Sequence, residues 1–402
     1  MAGTPVRRAY LFPFILFSFL LECIAVYPVY MIMFRDRGFT FTGLAWLMVI
    51  WSLPVVLLEV PSGILADRWS RKKLILAGTL LKGGGYLVWA LWPGYAAAAA
   101  GFALWGVQEA FCSGSRQALL FETLREHGEA SRYESAAGIC AAASTAGTVI
   151  ALVAGGFLYS VDEGLPVILS IAAAGAAIVP ALFFREKRIS AGAGNCGGPG
   201  AEGRDDSRGH RNGVRNAIAA AEGLVALLIA ACVAGGAYGS VDEYDGLIAV
   251  ESFGIPVRFV GLWGALRFAL EGVGGMTAGP LTRLLDRIGR RGLPGGLVAA
   301  GLLIAVSTVI PGPARIALYL SYYLFMASLN VVLEGRLNRA VDDSGRATLL
   351  SLSSLGITLA AIALSPLFGF SADRFGIVWI VRITGMAGVA AGLLYMAVSR
   401  RS

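Results

Sequence analysis

Charge is scarce in this sequence. Of its 402 residues only 15% are Asp, Glu, Lys or Arg, against 56% hydrophobic residues and a mean hydropathy of +0.70. A globule with a wet surface cannot be so short of charge, so the composition excludes a water-soluble domain and points to a chain embedded in a membrane. Histidine is nearly absent. The two present, His127 and His210, fall in polar connections, which argues against histidine-based or HExxH-type catalysis within an apolar region. Cysteines stand singly at 23, 112, 140, 196 and 232, an odd number without a CxxC pair, so neither a disulfide framework nor a cysteine metal site is expected. A GxxxxGK[ST] element is lacking too, which excludes direct drive by ATP, and no motif asks for a cofactor or a metal. The net charge of +7 is no nucleic-acid signal, because no basic segment carries the interleaved aromatic residues of a base-binding surface.

What the chain has instead is long apolar runs. A helix needs about 20 mostly apolar residues to cross a bilayer. Twelve stretches qualify, at 10–34, 41–66, 74–92, 95–121, 135–159, 165–184, 217–240, 257–278, 295–310, 314–333, 347–370 and 377–398. The first follows Arg7 and Arg8 as a signal peptide would, but it is too long for an h-region and has no small-residue cleavage site, so it reads as a span. Basic residues fill alternate connections: Arg68, Arg71, Lys72 and Lys73 after span two, Arg125 and Arg132 after span four, Arg336, Arg339 and Arg346 after span ten. The intervening connections carry Asp162, Glu163, Asp242, Glu243, Asp245 and Glu251. By the positive-inside rule the chain is expected to be a multi-pass protein of the cytoplasmic (inner) membrane with both termini in the cytoplasm. Between 185 and 216 the composition turns to Gly, Ala and mixed charge, the pattern of a linker. It divides the chain into a six-helix bundle at 1–184 and another at 217–402. The small residues Gly147, Ala151 and Gly155 recur at the spacing of closely packed membrane helices.

Two turns stand out. GILADRWSRKK at 63–73 and GPLTRLLDRIGRR at 279–291 each place a glycine, an Asp-Arg pair and a basic doublet between apolar runs. Two such turns at corresponding places imply two related halves. With Gly63, Asp67, Arg68, Arg71 and Lys72 in the first turn, Asp286, Arg287 and Arg290 in the second, and ADRFG at 372–376, the whole chain resembles the major facilitator superfamily. The resemblance implies an all-α fold of twelve transmembrane helices in two pseudo-symmetric six-helix bundles. It also implies a central cavity lined by spans 1, 4, 7 and 10, lipid against spans 3, 6, 9 and 12, and a turn whose Asp locks neighbouring helices on the cytoplasmic side. Physically, the Asp67 carboxylate beside a helix N-terminus or an arginine would gain a charge-assisted hydrogen bond of about 1.5–3 kcal/mol, enough to bias two conformers. Alternatively, the basic residues of the turn only orient the protein.

Ionisable groups inside a bilayer cost at least about 2.5–3.5 kcal/mol each, so their positions carry information. Glu22 lies mid-span one, Glu109 mid-span four with Arg116 two turns on, and Arg267 and Glu271 in span eight, with Asp242 and Glu243 at the outer end of span seven. These are the candidate proton or substrate sites, Glu22 and Glu109 first. Pairing between Glu109 and an arginine, and between Arg267 and Glu271 at i,i+4, is the structural alternative. Lys82 and Arg382 are the ionisable residues of spans three and twelve. Tyr27, Tyr30, Trp105, Tyr238, Tyr319, Tyr322 and Tyr323 would suit an amphipathic or cationic ligand, or anchor the helices at the interface. The expectation is a monomeric secondary transporter in the lipid bilayer, moving a small organic solute by alternating access, with protons as coupling ion and efflux as direction. Proton-coupled nutrient uptake, or a receptor or scaffold on the same fold, are the alternatives.

Overall fold

The computed structural model describes residues 10–186, 210–340 and 343–399; the side chains of residues 60, 67, 210–222, 343–348 and 399 lie outside that description. All regular structure among the described residues is helical. Helices α1 (Phe12–Leu21), α2 (Tyr30–Asp36), α3 (Phe41–Arg68), α4 (Arg71–Leu91), α5 (Tyr95–Glu126), α6 (Tyr133–Val161) and α7 (Leu165–Leu182) form the first half. The second half comprises α8 (His210–Glu243), α9 (Asp245–Glu251), α10 (Val260–Met276), α11 (Ala278–Ile288), α12 (Gly292–Val306), α13 (Ala314–Arg339), α14 (Asp343–Phe375) and α15 (Val378–Ser399). Helix α8 starts inside the stretch read as a linker, since its polar first turns continue the membrane helix beyond the apolar run.

Among the described residues eight helices are long and apolar enough to cross a membrane, and they correspond to expected spans two, three, five, six, seven, ten, eleven and twelve. The other four expected spans are helical but differ from simple rods for identifiable reasons. Span four, α5, carries Gln108, Glu109 and Arg116 in its middle. Span eight breaks at Thr277 into α10 and α11, and span nine, α12, has only 15 residues.

Span one is not the continuous helix expected from its apolar run. It is interrupted between Leu21 and Tyr30, where Pro28 removes a backbone donor and pushes its neighbour out of the helical region. Backbone polar groups freed in a membrane must find partners in the protein. The Leu21 carbonyl accepts from Lys82 Nζ at 2.9 Å, and the Val26 N–H donates to Ser170 Oγ at 3.1 Å. Helix α6 packs on this irregular stretch through its small residues. A Cβ on Gly155 would overlap the Ala25 carbonyl oxygen, so only glycine admits this approach. The corresponding element of the second half is also interrupted, at Tyr244 between α8 and α9.

The halves meet at the end opposite the charged turns. There α3 packs along α14, and α6 along α10. Asp373, from the ADRFG segment, accepts from the Phe41 and Thr42 N–H groups at 2.8 Å each, capping α3 from the other half. Arg35 pairs with Glu251 at 3.6 Å, and the Tyr30 hydroxyl donates to Glu243.

Candidate functional site

Between the halves lies a cavity of about 270 Å³, lined by Glu22, Ile24, Tyr27, Trp51, Lys82, Trp105, Glu109, Thr148, Leu152, Asp242, Arg267, Phe268 and Glu271. Five of the seven candidate proton or substrate residues line it. A sixth, Arg116, reaches into the group through an ion pair with Glu22 at 3.8 Å. Glu243 lines a smaller adjoining pocket with Asp245.

Each wall has its own chemistry. On the second half, Arg267 is buried and gathers three carboxylates. Its Nη1 pairs with Asp242 and Glu271, and its Nε donates to Asp245 at 3.0 Å. Asp245 is buried as well, and also accepts from Trp263 Nε1 and the Tyr319 hydroxyl at 2.9 Å each. Glu271 accepts in addition from the Tyr238 hydroxyl at 2.6 Å. The i,i+4 pair of Arg267 and Glu271 is thus one edge of a larger cluster, because the break at Tyr244 turns Asp242 and Asp245 towards α10.

On the first half the structural alternative, a Glu109–arginine pair, does not form among the described residues. Glu109 and Arg116 share a face of α5, yet Arg116 goes to Glu22 across the end of α1, and Glu109 has no hydrogen-bond or ion-pair partner among the described residues. Lys82 was the residue missed. Span three is implied to face lipid, but α4 buries Lys82 to 3% exposure on the cavity side, against the break in span one. A lone lysine in the middle of an apolar run was the available signal.

The charged turns lie apart from the cavity. Gly63 and Arg68 are exposed, and the Asp67 side chain, the expected lock, is outside the described residues. The N-terminus of α4 is capped by Ser70, whose Oγ accepts from Lys73 N at 3.1 Å, and by Glu186, which accepts from the Ser70 hydroxyl, from Arg71 N at 2.7 Å and from Lys72 N at 3.3 Å. Arg71 pairs with Glu122 on α5, and Lys72 Nζ donates to the Leu182 carbonyl at 2.6 Å. In the second turn Asp286 accepts from Arg336 of α13 at 2.7 Å, while Arg287 and Arg290 are exposed. Each turn therefore ties into its own half. Replacing Glu186 with alanine should cost about 0.5–2 kcal/mol, the usual worth of a cap, read as a lower unfolding temperature in detergent. An unchanged temperature would mean that the cap adds nothing.

A multi-helix body with long apolar helices and a charged cavity between two halves is that of a polytopic membrane protein. Residues 12–333 match the family model for the Major Facilitator Superfamily, and the chain belongs to that superfamily. Its fold is similar to that of a bacterial homologue of the human lysosomal transporter Spinster in an inward-facing and occupied conformation (TM-score 0.75, 15% identity, 100% of this chain and 98% of that one). It is also similar to the nucleoside transporter NupG (TM-score 0.72, 13% identity, 97% and 99%) and to the peptide transporter POT in complex with sulfate (TM-score 0.66, 14% identity, 97% and 94%). No curated protein matches by sequence.

Proposed function

We propose that the chain is a secondary transporter that exports a small organic solute across the cytoplasmic membrane in exchange for protons, by alternating access, as a monomer crossing twelve times. The observation that carries this reading is Glu109, a cavity carboxylate without a partner among the described residues. Such a carboxylate can be met either by a proton or by a positively charged group of the solute. Two species that compete for one carboxylate cannot be carried together on it, and that competition is the physical basis of exchange. The contacts between the halves at the end opposite the charged turns support an inward-facing state, with the basic turns in the cytoplasm. The likeness to an inward-facing homologue of Spinster agrees with this.

In reconstituted vesicles an imposed pH gradient should drive solute against the proton flow, and Glu109→Gln should abolish that flux while the protein remains monodisperse. Gradient-driven flux that survives the substitution would remove Glu109 as the coupling site. Solute moving with the protons would favour uptake symport instead.

A further inference from the structure

We infer that the solute is a zwitterion of amino-acid size with an apolar side chain, its ammonium set against Glu109 and its carboxylate against Lys82 and the indole N–H of Trp51. The inference rests on the transport reading above and gives that cavity its ligand chemistry. Most charges in the wall are already used: Arg267 by three carboxylates, Glu22 by Arg116. Three groups are not. Glu109 accepts from nothing in the described protein. Lys82 has three N–H donors and spends one on the Leu21 carbonyl. Trp51 Nε1 is buried and donates to nothing among the described residues.

These groups come from α5, α4 and α3 and line one cavity; Lys82 lies within electrostatic reach of Glu22 and, less strongly, of Glu109, but forms no ion pair with either among the described residues. A singly charged ligand would meet one of them and leave the other without a direct partner. A molecule with both charges completes both, and its carboxylate has a second oxygen for the indole N–H. Tyr27, Trp105, Leu152 and Phe268 supply the apolar remainder of the wall. The volume of about 270 Å³ lies below the roughly 300–1,000 Å³ of pockets for drug-sized ligands, which fits one amino acid better than a bulky amphiphile.

The full-length protein in detergent should be titrated with phenylalanine and leucine, with their amides, which are cations, and with their N-acetyl derivatives, which are anions. The zwitterions should bind roughly ten- to a hundredfold more tightly than either derivative, the worth of one lost hydrogen bond to a charged group. Lys82→Met should erase the preference over the amide, and Glu109→Gln the preference over the N-acetyl form. Amides that bind as tightly as the zwitterions, or no binding by any of the probes, would overturn the inference. The wild-type comparison alone decides if a variant does not fold. Binding is read without a gradient, so its failure leaves proton exchange standing. A zwitterion that binds but is not moved by a pH gradient overturns exchange and leaves the site.

Discussion

Replacing Arg267 with methionine should destabilise the protein by roughly 3–5 kcal/mol and stop transport, the largest effect expected of any single change in the cavity wall. Methionine keeps the unbranched stem but removes the guanidinium that Asp242, Asp245 and Glu271 share. The three carboxylates do not suffer equally. Asp245 retains its bonds from Trp263 and Tyr319, and Glu271 retains Tyr238, whereas Asp242 loses the cation it is paired with. A second substitution, Asp242→Asn, should therefore recover part of the lost stability in the Arg267→Met background, although in the native protein it would leave an existing pair broken. Arg267→Lys should fall between, since an ammonium keeps the charge but cannot serve Nε and Nη partners at once. Thermal unfolding in detergent and vesicle flux together read the result. An Arg267→Met protein that unfolds at the native temperature would mean that the cluster does not hold the second half together.

The same cluster marks how far the sequence reaches. Charges within apolar runs are conspicuous because insertion penalises them, so Glu22, Glu109, Arg267 and Glu271 could be singled out from composition alone. Periodicity also places Arg267 and Glu271 on one face of one helix. What it cannot supply is a pairing that depends on where a helix stops. Span one reads as unbroken because the residues between Glu22 and Tyr30 are apolar, with Pro28 as the single breaker. Once the break is known, Arg116 reaching Glu22 instead of Glu109, and Lys82 buried against the Leu21 carbonyl, follow from it. Assigning span three to lipid by its place in the superfamily hid Lys82 for a related reason: a helix on the lipid side of a bundle still has an inner face. Contacts between the halves are less legible again. Asp373 and Phe41 are 332 positions apart, and although ADRFG is recognisable as a segment, nothing in its spacing says that it caps the start of α3.

Gly261 should be the position where one added side chain most completely changes how the halves meet. A Cβ there would overlap the Leu152 carbonyl oxygen and lie 2.6 Å from its carbon, atoms of the α6 backbone that cannot swing aside as a side chain would. From α6, Gly156 faces the same contact, its own Cβ position 2.9 Å from Gly261 N and 3.0 Å from the Val257 carbonyl oxygen. Gly261→Val should keep α6 and α10 apart while leaving the packing inside each half intact. The protein should then fold, fail to close at the end opposite the charged turns, and transport at background rate. Met31, which is buried beside this contact, reports it: with the five native cysteines replaced, Met31→Cys should resist a membrane-impermeant thiol reagent, and should label readily once Gly261→Val is added. Asp373→Asn is the graded comparison. It weakens the cap on α3 without any steric bar, so it should raise labelling only in part. Native labelling of Met31→Cys in the Gly261→Val protein would show that the halves can close without backbone contact between α6 and α10.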